Sequence, residues 1–99
     1  MSDGLTTGQI CSLRSKAQRL DPILKIGKQG LSDGLLKTVR DELDRHELIK
    51  VKFADLKKQK RELAPKLAEQ TQSLLVTLIG NVAVLYRQQA DPEKRKVEL

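Results

Sequence analysis

The sequence predicts an α/β fold: a single compact domain in which helices pack on a four-stranded mixed sheet. Three observations support this prediction. The chain has 99 residues, the length of one ordinary domain. Helical stripes and strand-like runs alternate along it in the order α-β-α-β-α-β-β. A helix joins the first two strands, which favours a parallel crossover, whereas a two-residue turn joins the last two and makes the sheet mixed.

Each predicted element is defined by its apolar period. Apolar residues three and four apart mark helices, and alternating or continuous apolar runs mark strands. These periods predict, in chain order, a helix over 7–20, a strand over 22–26, a helix over 33–45, a strand over 47–53, a helix within 56–72, and strands over 74–79 and 82–87.

Local signals place the ends of these elements. Thr6 opens a capping box before the first helix, and Ser32 is a suitable N-cap for the second. Pro65 falls inside the third helical window, where proline costs about 3 kcal/mol, so we expect that helix to break there. Gly80 and Asn81 are typical of a tight hairpin turn between the last two strands.

The domain is expected over residues 6–87, between a disordered lead over 1–5 and a polar basic tail over 88–99.

The composition of the chain limits the classes of function that it can have. Nineteen Lys and Arg against thirteen Asp and Glu give a net charge of +6, which is typical of a protein that binds a polyanion, although many small soluble domains carry as much. Only two aromatic residues are present, which disfavours serial base stacking.

The scarcity of cysteine, histidine and long apolar runs indicates the cellular compartment and the kinds of chemistry to expect. A lone cysteine, Cys11, fits a reducing cytoplasm, and we expect no membrane partner because no apolar run approaches the length of a bilayer span. His46 is the single histidine, and no Cys and His residues have metal-ligand spacing. We therefore expect a cytoplasmic protein that is not an enzyme and has no cofactor, metal or small-molecule substrate.

A glycine-flanked loop is the strongest candidate site. Gly27, Lys28, Gln29 and Gly30 join the first strand to the start of the second helix. Glycines allow close approach of a ligand, a helix N-terminus favours anions, and Lys28 supplies a cation that Lys25 supplements. This arrangement suits a sugar–phosphate backbone, although a purely structural turn also explains two glycines at this spacing.

Further cations extend the predicted binding surface. The alternative is that these side chains only keep an exposed face soluble. Those on the first helix precede the strand that leads into the loop, and those on two strands share the predicted sheet. The candidate residues are Arg14, Lys16, Arg19, Lys50, Lys52 and Arg87.

Three segments, 27–31 (GKQGL), 46–52 (HELIKVK) and 79–87 (IGNVAVLYR), resemble the signature segments of the CRM domain, named for chloroplast RNA splicing and ribosome maturation. The resemblance covers about residues 6–87 and is carried by three motifs in the family's order. It implies a fold similar to the C-terminal domain of translation initiation factor three and RNA binding through the GxxG loop. Single-domain bacterial members, the YhbY-like proteins, associate with precursors of the large ribosomal subunit. Many relatives have a lysine where this chain has Asn81.

The leading hypothesis is thus a non-catalytic, monomeric protein that contacts the backbone of ribosomal RNA and assists assembly of the large subunit. An adaptor whose basic face binds an acidic protein is the alternative. The hypothesis of a protein that binds a membrane surface ranks last, because the apolar faces of the helices are expected to pack in the core.

Overall fold

The computed structural model describes residues 5–97, in which three helices and four strands form. Short 3₁₀ turns precede the third helix (Lys57–Gln59) and lie near the C-terminus (Pro92–Lys94). The helices and strands are α1 (Thr7–Ala17), β1 (Leu24–Ile26), α2 (Asp33–His46), β2 (Leu48–Phe53), α3 (Lys60–Gln70), β3 (Leu74–Ile79) and β4 (Val82–Tyr86).

The four strands make one mixed sheet in the order β1-β2-β4-β3. β1 and β2 are parallel, as the helix between them predicts, and the β2–β4 and β3–β4 pairs are antiparallel. The predicted fold class and element order are therefore confirmed. Because β1 and β2 run towards the turn that joins β3 to β4, the loops after β1 and β2 lie at the same end of the sheet as residues 80–81. We call this the loop end.

Helices cover both faces of the sheet, but unequally. On one face, α2 and α3 pack over the alternate residues Ile49, Val51 and Phe53, all of them buried. On the other, α1 inserts Leu13 and Ala17 against a smaller patch made by Leu48, Val84 and Tyr86. We call this second side the α1 face. Tyr86 is thus a core ring and is not available to stack on a base.

A β-bulge between Leu75 and Thr77 decides which side of β3 faces which helix. Strict alternation would place Ile79 with Leu75, on the α2/α3 side. The extra residue shifts the alternation, so that Leu78 packs into the α2/α3 cluster and Ile79 is aligned with the residues of the α1 face.

Two details at α1 differ from the sequence prediction. The helix ends at Ala17, three residues earlier than expected, because the next residues bond in a tighter pattern: Arg19 N–H donates to Lys16 C=O. Cys11 stands next to the apolar stripe in the sequence, which predicts a buried or half-buried side chain. It is instead exposed, since it projects from the side of α1 opposite the core.

The prediction of a helix break at Pro65 is wrong, since α3 continues through this residue from Lys60 to Gln70. Burial of Ala64, Leu67 and Ala68 against the sheet holds the helix together despite the carbonyl that proline leaves without a partner.

Pro65→Ala is expected to stabilise the fold by about 1–2 kcal/mol, because it restores one helical hydrogen bond and removes the ring clash, less the lost rigidity of the unfolded chain. A thermal melt should show Tm higher by about 5–10 °C. A lower Tm would mean that the exposed proline ring makes a contact that stabilises α3.

Both ends of the described chain pack on the domain. Of the lead expected to be disordered over 1–5, residues 1–4 lie outside the described part, and Leu5 packs against the α1 cluster. The described part of the tail is anchored: the buried carboxylate of Glu47 accepts backbone N–H bonds from Gln89, Lys96 and Val97. Residues 98–99 of the predicted tail are outside the described range.

Candidate nucleic-acid interface

The candidate loop lies at the loop end of the sheet, tied to the segment that follows β2. The Ile26 carbonyl accepts N–H bonds from both Ala54 and Asp55, each 3.0 Å in N···O distance. At the neighbouring strand end, Phe53 N–H donates to the Asn81 carbonyl at 2.7 Å. These bonds hold three loops side by side, so residues distant in sequence form one continuous surface there.

Residues 27–30 form a tight turn. Gly30 N–H donates to the Gly27 carbonyl at 3.0 Å, which leaves Lys28 and Gln29 at the two corner positions. Both corner residues are exposed. Ser32 then caps α2 by accepting the Leu35 N–H at 3.2 Å. The predicted passage from strand through turn to capped helix is confirmed.

The two glycines of the turn have different reasons to be glycine. Gly30 has a φ of +63°, and a Cβ there would lie 3.2 Å from the Leu56 side chain, so the backbone itself requires glycine. Gly27 has no such requirement, because a Cβ there would meet nothing within 4 Å. The space in front of Gly27 is open to a ligand that approaches the backbone.

Three of the predicted cations are brought together here. Lys25 and Lys52 are paired neighbours on β1 and β2, both exposed on the α1 face, and Lys28 follows at the corner of the turn. In residues 5–97, ion pairs engage Lys37, Arg45, His46 and Arg87 but none of these three lysines. Their charges are therefore not neutralised within the described chain.

Carboxylates are scarce at the loop end and frequent on α2. Asp33 begins α2, where it favours the positive end of the helix, and Asp55 Oδ1 accepts the Leu56 N–H at 2.7 Å. The ion-paired acids Asp41, Glu42 and Asp44 all lie along α2. The molecule consequently separates a basic end from a charge-balanced helical side.

Among the cations predicted on α1, Lys16 lies away from this group. Lys16 lines a cavity of about 430 Å³ with His46 and Leu48, near the start of β2 and so away from the loop end. Arg14 is two residues away, about 200° around the helix and thus on the opposite flank of α1. Arg19 is exposed in the turn after α1.

The strand cations divide. Lys50 is half-buried and lies two residues before Lys52, so the two share a face of β2. Arg87 follows β4 at the end opposite the loop end, and its guanidinium is committed internally. It donates to the carbonyls of Thr71 and Arg40 at 2.9 and 3.0 Å, and to Asp44 Oδ1 at 2.6 Å. The structure does not bring Arg87 to the loop, because these contacts hold it between α2 and the end of α3.

The sequence reasoning missed a second set of cations at the loop end. Lys57 and Lys58 form an exposed 3₁₀ turn directly after Leu56, whose side chain lies against Gly30. Lys60 Nζ donates to the Asn81 side-chain oxygen at 3.1 Å, which brings a cation to the hairpin turn. The sequence signal is the run of Lys57, Lys58 and Lys60 before Pro65, which predicts an exposed turn or short helix but does not connect it with the loop.

Residues 5–97 contain neither a candidate metal site nor a candidate membrane-spanning helix. No group of three or more His, Cys, Asp or Glu residues there could hold a metal ion. His46 lies at the end of α2, 3.3 Å from Glu42, as a surface pair. Within that same range, no helix has the length and apolarity needed to cross a membrane.

Comparison with known proteins places the chain in a family. A model of the CRS1 / YhbY (CRM) domain matches residues 5–87. Bacillus subtilis has a relative named "Probable RNA-binding protein YqeI", which is 38% identical over 96% of this chain and 98% of its own length. A Haemophilus influenzae protein named "RNA-binding protein" is 34% identical over 96% of this chain and 94% of its own.

A solved structure agrees in fold as well as in sequence. The solution structure of a hypothetical protein from Staphylococcus aureus superimposes with a TM-score of 0.77 at 39% identity, covering 95% of this chain and 99% of that one. The matched segment contains all three helices, all four strands and the 27–30 loop. The chain therefore belongs to the CRS1 / YhbY (CRM) domain family.

Proposed function

We propose that this protein binds RNA by its sugar–phosphate backbone, through the 27–30 turn and the lysines around it. The observation that carries the proposal is an exposed Lys28 at the corner of a turn, next to the open approach to Gly27 and within a group of cations that no carboxylate pairs. Relatives over the whole chain length bear the name of RNA-binding proteins, which supports the same ligand.

The mode of binding is backbone contact without base-edge recognition. Lysine is a mobile point charge suited to phosphate, and the described surface of the loop end presents lysines but no exposed aromatic ring. Affinity should therefore depend steeply on salt, with a contribution of about 0.7–0.9 to the slope of log K for each phosphate contacted.

The RNA that we propose is ribosomal RNA in precursors of the large ribosomal subunit, and the role is assistance in assembly without catalysis. The resemblance to single-domain bacterial CRM proteins supports this assignment. Transient occupation of an RNA segment would delay its pairing or its capture by other proteins. Sedimentation of a cell extract through a sucrose gradient tests this assignment. The protein should migrate with large-subunit precursors, and migration apart from those precursors would contradict it.

Lys28→Ala is expected to weaken binding to a ribosomal RNA fragment about fivefold in a filter-binding titration, and to reduce the magnitude of the salt slope by about one contact. Tm should stay unchanged, because Lys28 is exposed and makes no ion pair.

Gly27→Ala is the companion variant, since its Cβ fits the free fold but would fill the space in front of the turn. Loss of RNA affinity at unchanged Tm supports close approach to the backbone. A matching fall in Tm for both variants would show that the turn is only structural. An interaction with a protein that survives nuclease treatment would favour the adaptor alternative.

A further inference from the structure

We infer that the end of the sheet beside the loop binds an unpaired nucleotide. An apolar surface there would contact the base, and the neighbouring lysines would contact the phosphate. The inference rests on the proposed function, since it names the form of RNA that the same surface takes. It is carried by the register of the sheet and by the exposure of Ile79, a large apolar side chain at the end of β3.

The register aligns four residues across the sheet at the loop end. Lys25 pairs with Lys52, Lys52 with Val82, and Val82 with Ile79. Residues directly opposite each other on neighbouring strands share a face, and strands lie about 4.8 Å apart, so this row is about 14 Å long. We call these four residues the open row.

The open row lies on the α1 face, beyond the reach of α1. Its members have the same alternation as Leu48, Val84 and Tyr86, the sheet residues that α1 covers. Lys25 and Lys52 are exposed, and Ile79 is 59% exposed, more than any other large hydrophobic residue in the described chain. The row therefore presents two cations at one end and an uncovered apolar surface at the other.

Charge and apolarity together select the occupant. A partner must be anionic where it meets Lys25 and Lys52 and apolar where it meets Ile79, within a single row of side chains. An unpaired nucleotide has this combination, because its phosphate is charged and the face of its base is apolar. In a duplex the base faces are stacked against one another, and only phosphates and groove edges are offered.

The row is continuous with the proposed loop contact. Gly27 follows Ile26, the last residue of β1, so the turn begins two residues after Lys25. An RNA backbone bound at the turn would therefore pass beside Lys25. One strand of RNA would thus cross from the turn onto the sheet, with one base laid on Ile79 and Val82.

Ile79→Ser tests the inference with two RNAs, a single-stranded oligoribonucleotide and a fully paired duplex of the same length. We expect about five- to tenfold weaker binding of the single strand, from lost apolar contact, and no change for the duplex. Ile79→Phe should bind the single strand at least as tightly as the wild type, because a ring stacks on a base. Equal binding of the single strand by wild type and Ile79→Ser would overturn the inference, as would an equal loss for both RNAs.

Leu20→Ser is the matched control, since Leu20 is 37% exposed but lines the cavity near the start of β2. It should leave both affinities unchanged, and a loss equal to that of Ile79→Ser would overturn the inference. Lys28→Ala separates the two claims, since it should weaken both RNAs. If Lys28→Ala has no effect on either, the proposed function fails; if it weakens both while Ile79→Ser binds as the wild type does, only the open row is refuted.

Discussion

Replacement of Lys25, Lys28 and Lys52 together by glutamine is expected to weaken RNA binding about a hundredfold at roughly 0.15 M salt. Each phosphate contact contributes about 0.7–0.9 to the slope of log K against log salt, so three lost contacts reduce the magnitude of that slope by about 2–3. The three side chains are exposed and make no ion pair, so Tm should change little. Filter-binding titrations across a salt series measure both quantities.

A second triple variant controls for net charge. Lys37, Arg45 and Lys66 are exposed on α2 and α3, and their replacement by glutamine lowers the formal charge of +6 by the same three units. Long-range attraction falls equally in the two variants, whereas only the first loses the proposed contacts. Equal losses of affinity would show that RNA is attracted by total charge without a defined surface.

Glu47→Gln should lower the free energy of unfolding by about 2–3 kcal/mol, or Tm by about 10–20 °C. Glu47 is 1% exposed; its Oε2 accepts the Gln89 N–H at 2.6 Å, and its Oε1 accepts the Lys96 N–H and the Val97 N–H, the latter at 2.9 Å. Glutamine has one oxygen and one NH₂ group there, so at least one buried backbone N–H would face another donor. Hydrogen exchange at these three amides should accelerate as the tail detaches.

The same carboxylate predicts a dependence on pH. Burial acts to raise the pKa of Glu47, but the three backbone N–H donors and Arg95 outweigh it, and the pKa lies below its ordinary value of 4.5. A depressed pKa stabilises the fold fully above about pH 4.5 and loses that stabilisation as the pH falls through the folded-state value. The difference in Tm between wild type and Glu47→Gln should be constant from neutral pH to about pH 5 and shrink below that.

Glu69→Gln serves as the control, because Glu69 is exposed on α3, and its loss should change stability by less than about 0.5 kcal/mol. A similar loss of Tm in the two variants would remove the buried carboxylate as the cause. A tail that stays protected in Glu47→Gln would show that Val97 packing alone holds it.

Much of the site could be predicted because it is local. The turn at 27–30 and the cap at Ser32 depend on residues close together in sequence, and Lys28 is exposed because a turn corner leaves it so. The lysines at 57, 58 and 60 were left out of the candidate site because only non-local bonds, from Ala54 and Asp55 to Ile26, bring their segment to the loop.

Arg87 shows the converse. The sequence places an arginine at the end of a strand, which is compatible with a solvent-facing cation. Whether this arginine faces solvent depends on which groups the fold places beside the end of β4. Two backbone carbonyls and the Asp44 carboxylate lie there and accept its hydrogen bonds. Glu47 is likewise an ordinary charged residue in the sequence, and only the return of the chain at 89–97 makes it a buried acceptor.

The sequence by itself determined the element order, the mixed sheet, the exposed lysine turn and the basic character of the molecule, since periodicity, turn chemistry and composition act over short distances. The tertiary structure alone decided the continuity of α3 through Pro65, the burial of Glu47, and the side of the sheet on which Ile79 lies. Each of these depends on packing or register between segments far apart in the chain, where a gain in burial or one extra residue in a strand outweighs the local preference.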